Sequence, residues 1–250
     1  MLGPQWLVVA VEASLAWPTE DTYIEYKGHS FLLRPGTDEW AATVCLRFGP
    51  TVSDISRKEA ISLLRGFLSA LSWTEGQYIR ELMMSGGSHP SRIGKPGRMK
   101  FVNPNFRADH LPEVEDRTRK LALALYREAL SVNSIPYQFL GYFKIINILH
   151  ERGQQQKNWI RSALPHLTNR EARGRLSVLN EEQSDVADYL YESGRCAIAH
   201  AYSDPIVDPE DPDDLRRLQQ DLPIVKALAE YLIEFELGIP SLRTIHRLHL

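Results

Sequence analysis

An arginine, a histidine and a tyrosine lie close together in the chain, at Arg195, His200 and Tyr202. Arginine stays charged at any physiological pH and holds a phosphate with two parallel hydrogen bonds. Histidine transfers protons near neutral pH, and a tyrosine hydroxyl can donate a hydrogen bond. Together they suit metal-independent cleavage of RNA. In that reaction His200 activates the ribose 2′-hydroxyl, and Arg195 stabilises the charge that develops on the phosphate.

The spacing of Arg195 and His200 limits how one helix can bring them together. Five residues turn an α-helix by about 500°, so the two side chains would point roughly 140° apart. We therefore expect one of two arrangements. Either the helix ends or bends between them, or a two-fold dimer brings two copies of the motif to one cleft. Gly194 and Pro205 favour a local irregularity.

The alternative is a structural role for the same residues. Arg195 would then form an ion pair with Glu192, one turn earlier. His200 would be hydrogen-bonded in the core or at a helix end, and Cys196 would pack as a small apolar residue. Because Cys45 and Cys196 are the only cysteines and lie far apart in sequence, we expect a reducing compartment.

A second candidate site is the stretch 85–109, where glycine and proline are frequent and regular structure is not expected. Its basic residues are Arg92, Lys95, Arg98, Lys100 and Arg107. Clustered cations bind a phosphate backbone without reading its sequence, and Phe101 and Phe106 could stack on bases. The stretch thus predicts RNA binding, with a solvated loop as the alternative.

Two weaker patterns contain residue types that can hold a metal ion. An acidic run comprises Asp204, Asp208, Glu210, Asp211, Asp213 and Asp214. It lacks the spacing of a calcium loop and contains three prolines, so it is typical of a stiff connector whose last acids favour the start of the next helix. His246 and His249 have no evident third ligand. The sequence therefore predicts no metal and no cofactor.

The composition is that of a globular protein. The chain has 250 residues, of which 43% are hydrophobic and 24% charged, with a net charge of -3. This apolar content excludes extensive disorder, and the sequence contains no uncharged apolar stretch of membrane-spanning length. The apolar residues 6–17 are interrupted by Glu12 and follow no basic segment, so we expect no signal peptide and a cytoplasmic protein.

The elements that must position these residues fall into two parts, which predicts an α+β fold. Residues 1–110 form a mixed β/α domain that ends in the basic stretch. Its predicted strands are 6–11, 23–26, 30–34, 40–48 and 78–84, with a hairpin turn at Lys27-Gly28-His29. A helix is predicted after Ser56, which has capping-box spacing with Glu59.

Residues 111–250 are predicted to form a helical bundle. The expected helices cover 111–130, a segment capped by Ser134 that carries Phe139 to Leu149, 157–167, 181–201 and 213–237. Apolar residues recur at steps of three and four in the last of these, which is typical of a bundle seam. Pro223 is expected to kink it.

The long helices, the aromatic segment 137–144 and the R-x4-H-x-Y motif resemble HEPN domains over about residues 111–238. The resemblance implies a homodimer that cleaves RNA without a metal. Arg195 would be the phosphate clamp, His200 the base and Tyr202 an auxiliary group. Cys196 departs from the pattern, because active members often carry a polar residue directly after the arginine.

Segments 197–201 and 222–230 also resemble proteins of the methylamine-utilisation J group. That resemblance implies a non-catalytic accessory protein, whose bundle dimerises or docks a partner protein. The sequence leaves the nuclease and the accessory protein open as alternatives.

Overall fold

The computed structural model describes residues 5–49, 52–53, 55–94, 102–103, 108, 111–200, 206–208 and 211–241. The chain divides into two compact units. One is Asp116–Pro240, called here the helical unit, and the other includes the residues before Asp116 and is called the sheet unit. A sheet followed by helices confirms the predicted α+β fold. The predicted domain boundary at residue 110 stays a prediction.

The strands of the sheet unit are β1 (Gln5–Ala13), β2 (Trp17–Pro18), β3 (Thr22–Tyr26), β4 (His29–Arg34), β5 (Ala42–Phe48), β6 (Ile79–Gly87) and β7 (Val102–Asn103). Five of them form an antiparallel sheet in the order β3-β4-β5-β1-β6, and β2 pairs with β7 in parallel. Strands β6 and β7 both reach into 85–109, so the expected absence of regular structure there is wrong at those positions. Pairing with β1 carries β6 as far as Gly87, because it satisfies backbone groups that a loop would leave open.

The predicted hairpin is confirmed between β3 and β4. Its two turn residues, Lys27 and Gly28, have φ values of 51° and 70°. A two-residue hairpin turn of this kind needs positive φ at both positions, because only that twist matches the twist of the strands. Glycine adopts it without strain, which is why the turn falls here.

The predicted helix after Ser56 is α1 (Arg57–Glu75), and its capping box is confirmed. The Glu59 backbone N–H donates to Ser56 Oγ at 3.2 Å, and the Ser56 N–H donates to the Glu59 carboxylate at 2.7 Å. Phe67 of α1 stacks on Phe31 of β4 with ring centroids 4.4 Å apart. Both rings are fully buried, and each contributes roughly 1.5–3 kcal/mol by leaving water.

The other face of the sheet carries a smaller apolar cluster. Val8, Ala10 and Cys45 lie in it, and Ile93 packs there from the stretch 85–109. The Ile93 carbonyl accepts the Ala41 N–H at 2.9 Å, which fixes the chain at this point. Burial raises the pKa of the Cys45 thiol to about 11, so Cys45 stays protonated and behaves as a small apolar residue.

The helices of the helical unit are α2 (Arg117–Ser131), α3 (Ile135–Ile146), α4 (Gly153–Ala163), α5 (Arg170–Glu182), α6 (Val186–Tyr189), α7 (Ala197–Ala199) and α8 (Pro212–Tyr231). Two wide, π-helical turns cover Leu190–Cys196 and Leu232–Glu236, and a 3₁₀ turn covers Leu164–His166. Helix α3 packs against α2 and α8. A Cβ at Gly141 of α3 would lie 2.8 Å from Ala129 Cβ, so glycine allows α2 and α3 to approach closely.

The first predicted helix begins too early, because residues 111–115 are not helical. Lys27 of the hairpin turn holds this segment extended. Its backbone N–H donates to Glu113 at 3.0 Å, and its ammonium group donates to the Val114 carbonyl at 2.6 Å. Asp116 then caps α2 by accepting the Arg119 N–H at 2.9 Å.

Three other helix predictions are wrong in part. Helix α5 was not predicted, and Glu181 belongs to α5 rather than to the helix that carries Arg195. Leu149 lies beyond the end of α3 and is exposed. Ser134 is the N-cap of α3, but its side chain makes no capping hydrogen bond. Helix α8 continues through Pro223, and the expected kink there stays a prediction.

Candidate functional site

The helix that carries Arg195 ends before His200. Arg195 lies in the wide turn Leu190–Cys196, which leads into the short α7. His200 has extended backbone, with φ -125° and ψ 129°, and its N–H donates to the Cys196 carbonyl at 3.0 Å. The segment is therefore not one regular helix, and the α-helical geometry that separates the two side chains by roughly 140° does not apply.

The wide turn is held against the core through a glycine. A Cβ at Gly194 would lie 2.6 Å from two carbons of the Phe139 ring, and Phe139 of α3 is fully buried. Only glycine lets the backbone come this close. Arg217 of α8 fixes the same turn from outside, since it donates to the Ser193 carbonyl at 2.9 Å.

The Arg195 guanidinium lies over an aromatic ring rather than against a carboxylate. Its central carbon is 5.5 Å from the centroid of the Tyr191 ring, and its Nη1 donates to Cys196 Sγ at 3.7 Å. The alternative ion pair with Glu192 is wrong, because Lys157 holds Glu192 at 2.8 Å. No ion pair joins Arg195 to any residue in the described part of the chain.

Lys157 of α4 supplies a second cation beside the same ring. Its Nζ lies 5.2 Å from the Tyr191 centroid and donates to Asp188 at 2.6 Å as well as to Glu192. The hydrogen bond to Asp188, followed by that to Glu192, raises the Lys157 pKa, so the ammonium stays charged. Burial also raises the Tyr191 pKa, against the opposing charge of Arg195, so the phenol stays neutral. This group of residues is called the Tyr191 cluster.

Of the three motif residues, Arg195 and His200 lie in the described ranges, and no ion pair or hydrogen bond joins the two. The contacts of Arg195 are with Tyr191 and Cys196, and they do not include His200. His200 is half-buried and has contacts of its own. Tyr202 lies outside the described residues. The predicted catalytic roles of Arg195, His200 and Tyr202 therefore stay predictions.

Of the predicted RNA-binding residues, Arg92 is the one within the described part of the chain. Its guanidinium donates to the Pro35 carbonyl at 3.3 Å and lies 4.0 Å from Asp21. Arg92 thus contacts the loop before β5. The other four predicted contacts lie outside the described residues: Lys95, Arg98, Lys100 and Arg107.

The end of the acidic run forms the start of α8. Asp211 caps the helix by accepting the Asp213 N–H at 2.8 Å, and Asp214 accepts the Asp208 N–H at 3.0 Å. These contacts agree with the connector that the sequence favours. Within the described ranges, no three side chains of the His, Cys, Asp or Glu types are placed to hold a metal ion. His246 and His249 lie outside those ranges.

Two features of the helical unit were missed at the level of sequence. The first is a buried charge network around Asp221 of α8, which is 1% exposed. Asp221 accepts from Arg175 of α5 at 2.8 Å and from the Tyr189 hydroxyl at 2.7 Å. Asp221 lies one turn after Leu218, on the apolar stripe of α8. An acid in such a position is the sequence signal that could have revealed the network.

The second missed feature is an aromatic group around Glu236, called the Glu236 cluster. It comprises His150, Trp159, Tyr231, Phe235 and Glu236. The Trp159 indole N–H donates to Glu236, and the His150 ring stacks on Trp159 with centroids 5.1 Å apart. Tyr231 lies 6.5 Å from Trp159 and 4.9 Å from Phe235, again between centroids.

No helix in the described ranges is long and apolar enough to cross a membrane.

Comparison with known proteins gives a family match. No curated protein and no solved structure matches the chain significantly. Residues 122–234 match the model of the family described as methylamine utilization protein MauJ. The match covers most of the helical unit and none of the sheet unit, and it supports the predicted resemblance to that group. The HEPN resemblance stays a prediction. In its helical unit, this chain is similar to methylamine utilization protein MauJ.

Proposed function

We propose that this chain is a non-catalytic accessory protein of methylamine utilisation. The observation that carries the proposal is the family match over residues 122–234, which lies within the unit Asp116–Pro240. In this proposal the helical unit is the part that acts, by docking a partner protein or a second copy of the chain. The cytoplasmic location and the homodimer remain parts of the proposal.

The contacts of the Tyr191 cluster support a structural role for its charges. Asp188 and Glu192 both pair with Lys157, and Arg195 lies over the Tyr191 ring. Side chains held in this way shape a rigid surface. The helical unit also presents Tyr137 and Phe235 to solvent, at 65% and 63% exposure. Aromatic residues are enriched at protein interfaces.

A metal-independent endoribonuclease is the second candidate, and one observation favours it. The helix ends between Arg195 and His200, which is one of the arrangements that the motif requires. Within the described ranges, Arg195 also has no carboxylate that would compete with a phosphate. In this candidate Arg195 binds the phosphate, His200 is the base, Tyr202 assists, and the stretch 85–109 contacts RNA.

Growth and RNA cleavage distinguish the two candidates. For the accessory protein, we expect that deletion of the gene slows growth on methylamine as the nitrogen source and leaves growth on ammonium unchanged. The full chain and its His200→Ala variant should both restore growth. Unimpaired growth on methylamine after deletion would refute the accessory function.

For the nuclease, the purified chain should cleave RNA in the presence of EDTA, and His200→Ala should abolish cleavage while the protein stays folded. His29→Ala is the matched control, because His29 is also half-buried but lies in the sheet unit. Equal cleavage by the wild type and His200→Ala would refute the role of His200. No cleavage by the wild type would refute the nuclease altogether.

A further inference from the structure

We infer that the Glu236 cluster binds a small alkylammonium ion. The geometry around the Glu236 carboxylate carries this inference. The choice of an amine as the occupant, among small cations, rests on the proposed function.

The carboxylate of Glu236 is partly buried and has no strong cation beside it. Its side chain is 31% exposed, and neither Lys nor Arg in the described part of the chain pairs with it. Other half-buried acids of the helical unit have such a partner, as Asp188 and Glu192 do in Lys157. A carboxylate that has lost part of its water without gaining a cation favours a charged ligand.

The His150 ring faces the same carboxylate. His150 Nε2 lies 3.7 Å from Glu236 Oε2, too far for a hydrogen bond, and is shielded from water. No described residue donates to it or accepts from it. A primary ammonium group carries three N–H donors. Seated on the solvent side of Oε2, it would donate to the Glu236 carboxylate alone, because His150 Nε2 is closed to water.

The remaining groups are aromatic, which suits the charge and the methyl group of an alkylammonium ion. Trp159 is fixed by its hydrogen bond to Oε1 of Glu236. Tyr231 and Phe235 continue the cluster toward solvent, and Phe235 is 63% exposed. Cations are attracted to the faces of such rings, and aromatic groups recognise methylated ammonium ions in this way.

The local fold explains why Phe235 and Glu236 stand together at the surface. They lie in the wide turn Leu232–Glu236 at the end of α8. Leu232 and Ile233 are fully buried and anchor this turn in the core. Leu237, which is buried, caps the turn, and Gly238 follows with a φ of 64°. The chain is thus held on both sides of the two residues that would meet the ligand.

The test is a titration of the full chain with methylammonium chloride, followed by NMR through the indole N–H signals of the five tryptophans. The spectrum of Trp159→Phe assigns the signal of Trp159. We expect this signal to shift and saturate. Since methylammonium has two non-hydrogen atoms, its Kd should be no tighter than about 6 mM, so the titration must extend well above that concentration.

The decisive variant is Glu236→Gln, which removes the charge but keeps an oxygen that can accept from Trp159. It should weaken binding at least about tenfold. Glu171→Gln removes the same charge from an exposed site on α5 and should bind as the wild type does. Equal affinity of the wild type and Glu236→Gln, or no saturation in the wild type, would overturn the inference.

Two further salts test the nature of the ligand. Potassium chloride at equal ionic strength should leave the Trp159 signal in place. Tetramethylammonium has no N–H and should bind more weakly than methylammonium. A response to potassium as strong as that to methylammonium, or tighter binding of tetramethylammonium, would overturn the inferred geometry. None of these outcomes affects the growth phenotype, so the site and the proposed function fail separately.

Discussion

The helical unit places charged side chains in two clusters, one around Asp221 and one around Tyr191. In the first, a fully buried carboxylate meets Arg175 and the Tyr189 hydroxyl, so that each charge has its partner. In the second, the groups are half-exposed, and Arg195 lies over a ring instead of an acid. Both clusters tie α6 and the wide turn after it to neighbouring helices.

The Asp221 network holds the fold together, whereas Arg195 in the Tyr191 cluster is available to a ligand. A buried charge without its partner costs several kcal/mol, so the Asp221 network cannot give up a contact cheaply. A half-exposed arginine regains water when it leaves its contact, so its loss costs little. We therefore expect substitutions around Asp221 to act on stability, and substitutions at Arg195 to act on function.

The largest expected effect is that of Asp221→Ala. It leaves Arg175 and the Tyr189 hydroxyl without their buried partner, so the free energy of unfolding should fall by about 3–5 kcal/mol. Denaturant unfolding of the full chain measures it. Asp213→Ala is the control, because Asp213 lies on the same helix at 84% side-chain exposure, and it should cost less than about 1 kcal/mol. A loss below that value for Asp221→Ala would show that burial does not distinguish the two clusters.

An intermediate effect is expected where the Tyr191 cluster joins the core. Gly194→Ala places a methyl group on the Phe139 ring, at 2.6 Å, and should cost about 1–3 kcal/mol. Gly174→Ala is the matched control in α5, where nothing lies within 4 Å of the new Cβ. It should stabilise the protein by up to about 1 kcal/mol, because alanine favours a helix. Equal effects of the two substitutions would mean that the wide turn is not fixed by its glycine.

Local signals in the sequence account for the parts of the fold that were predicted correctly. Ser56 and Glu59 cap α1 through contacts three residues apart, and Lys27 and Gly28 form a turn that depends on their own backbone angles. Helix α5 was missed because its buried residues are few, Ala172 and Leu179 being the two. An apolar stripe that sparse gives no helical periodicity.

The side-chain partners in the candidate site could not be predicted from spacing along the chain. Glu192 is well placed in sequence for Arg195, yet Lys157, which is 35 residues away, takes it. Trp159 and Glu236 are 77 residues apart, and no motif connects them. Partners of this kind are chosen by tertiary packing, which brings α4 against both wide turns. A pattern on one helix cannot reveal them.

The smallest expected effect is that of Arg195→Ala. The substitution removes a contact with the Tyr191 ring and a weak hydrogen bond to Cys196 Sγ. The free energy of unfolding should therefore fall by at most about 1 kcal/mol. Denaturant unfolding of Arg195→Ala and Asp221→Ala under the same conditions compares the two losses in the free energy of unfolding. Lys157→Met is the comparison within the cluster, since it strips Asp188 and Glu192 of their cation and should cost at least as much. A loss at Arg195 as large as that at Asp221 would make Arg195 part of the scaffold. A small loss means that any defect of Arg195→Ala in RNA cleavage or in growth on methylamine reflects the guanidinium itself, because the protein around it remains folded.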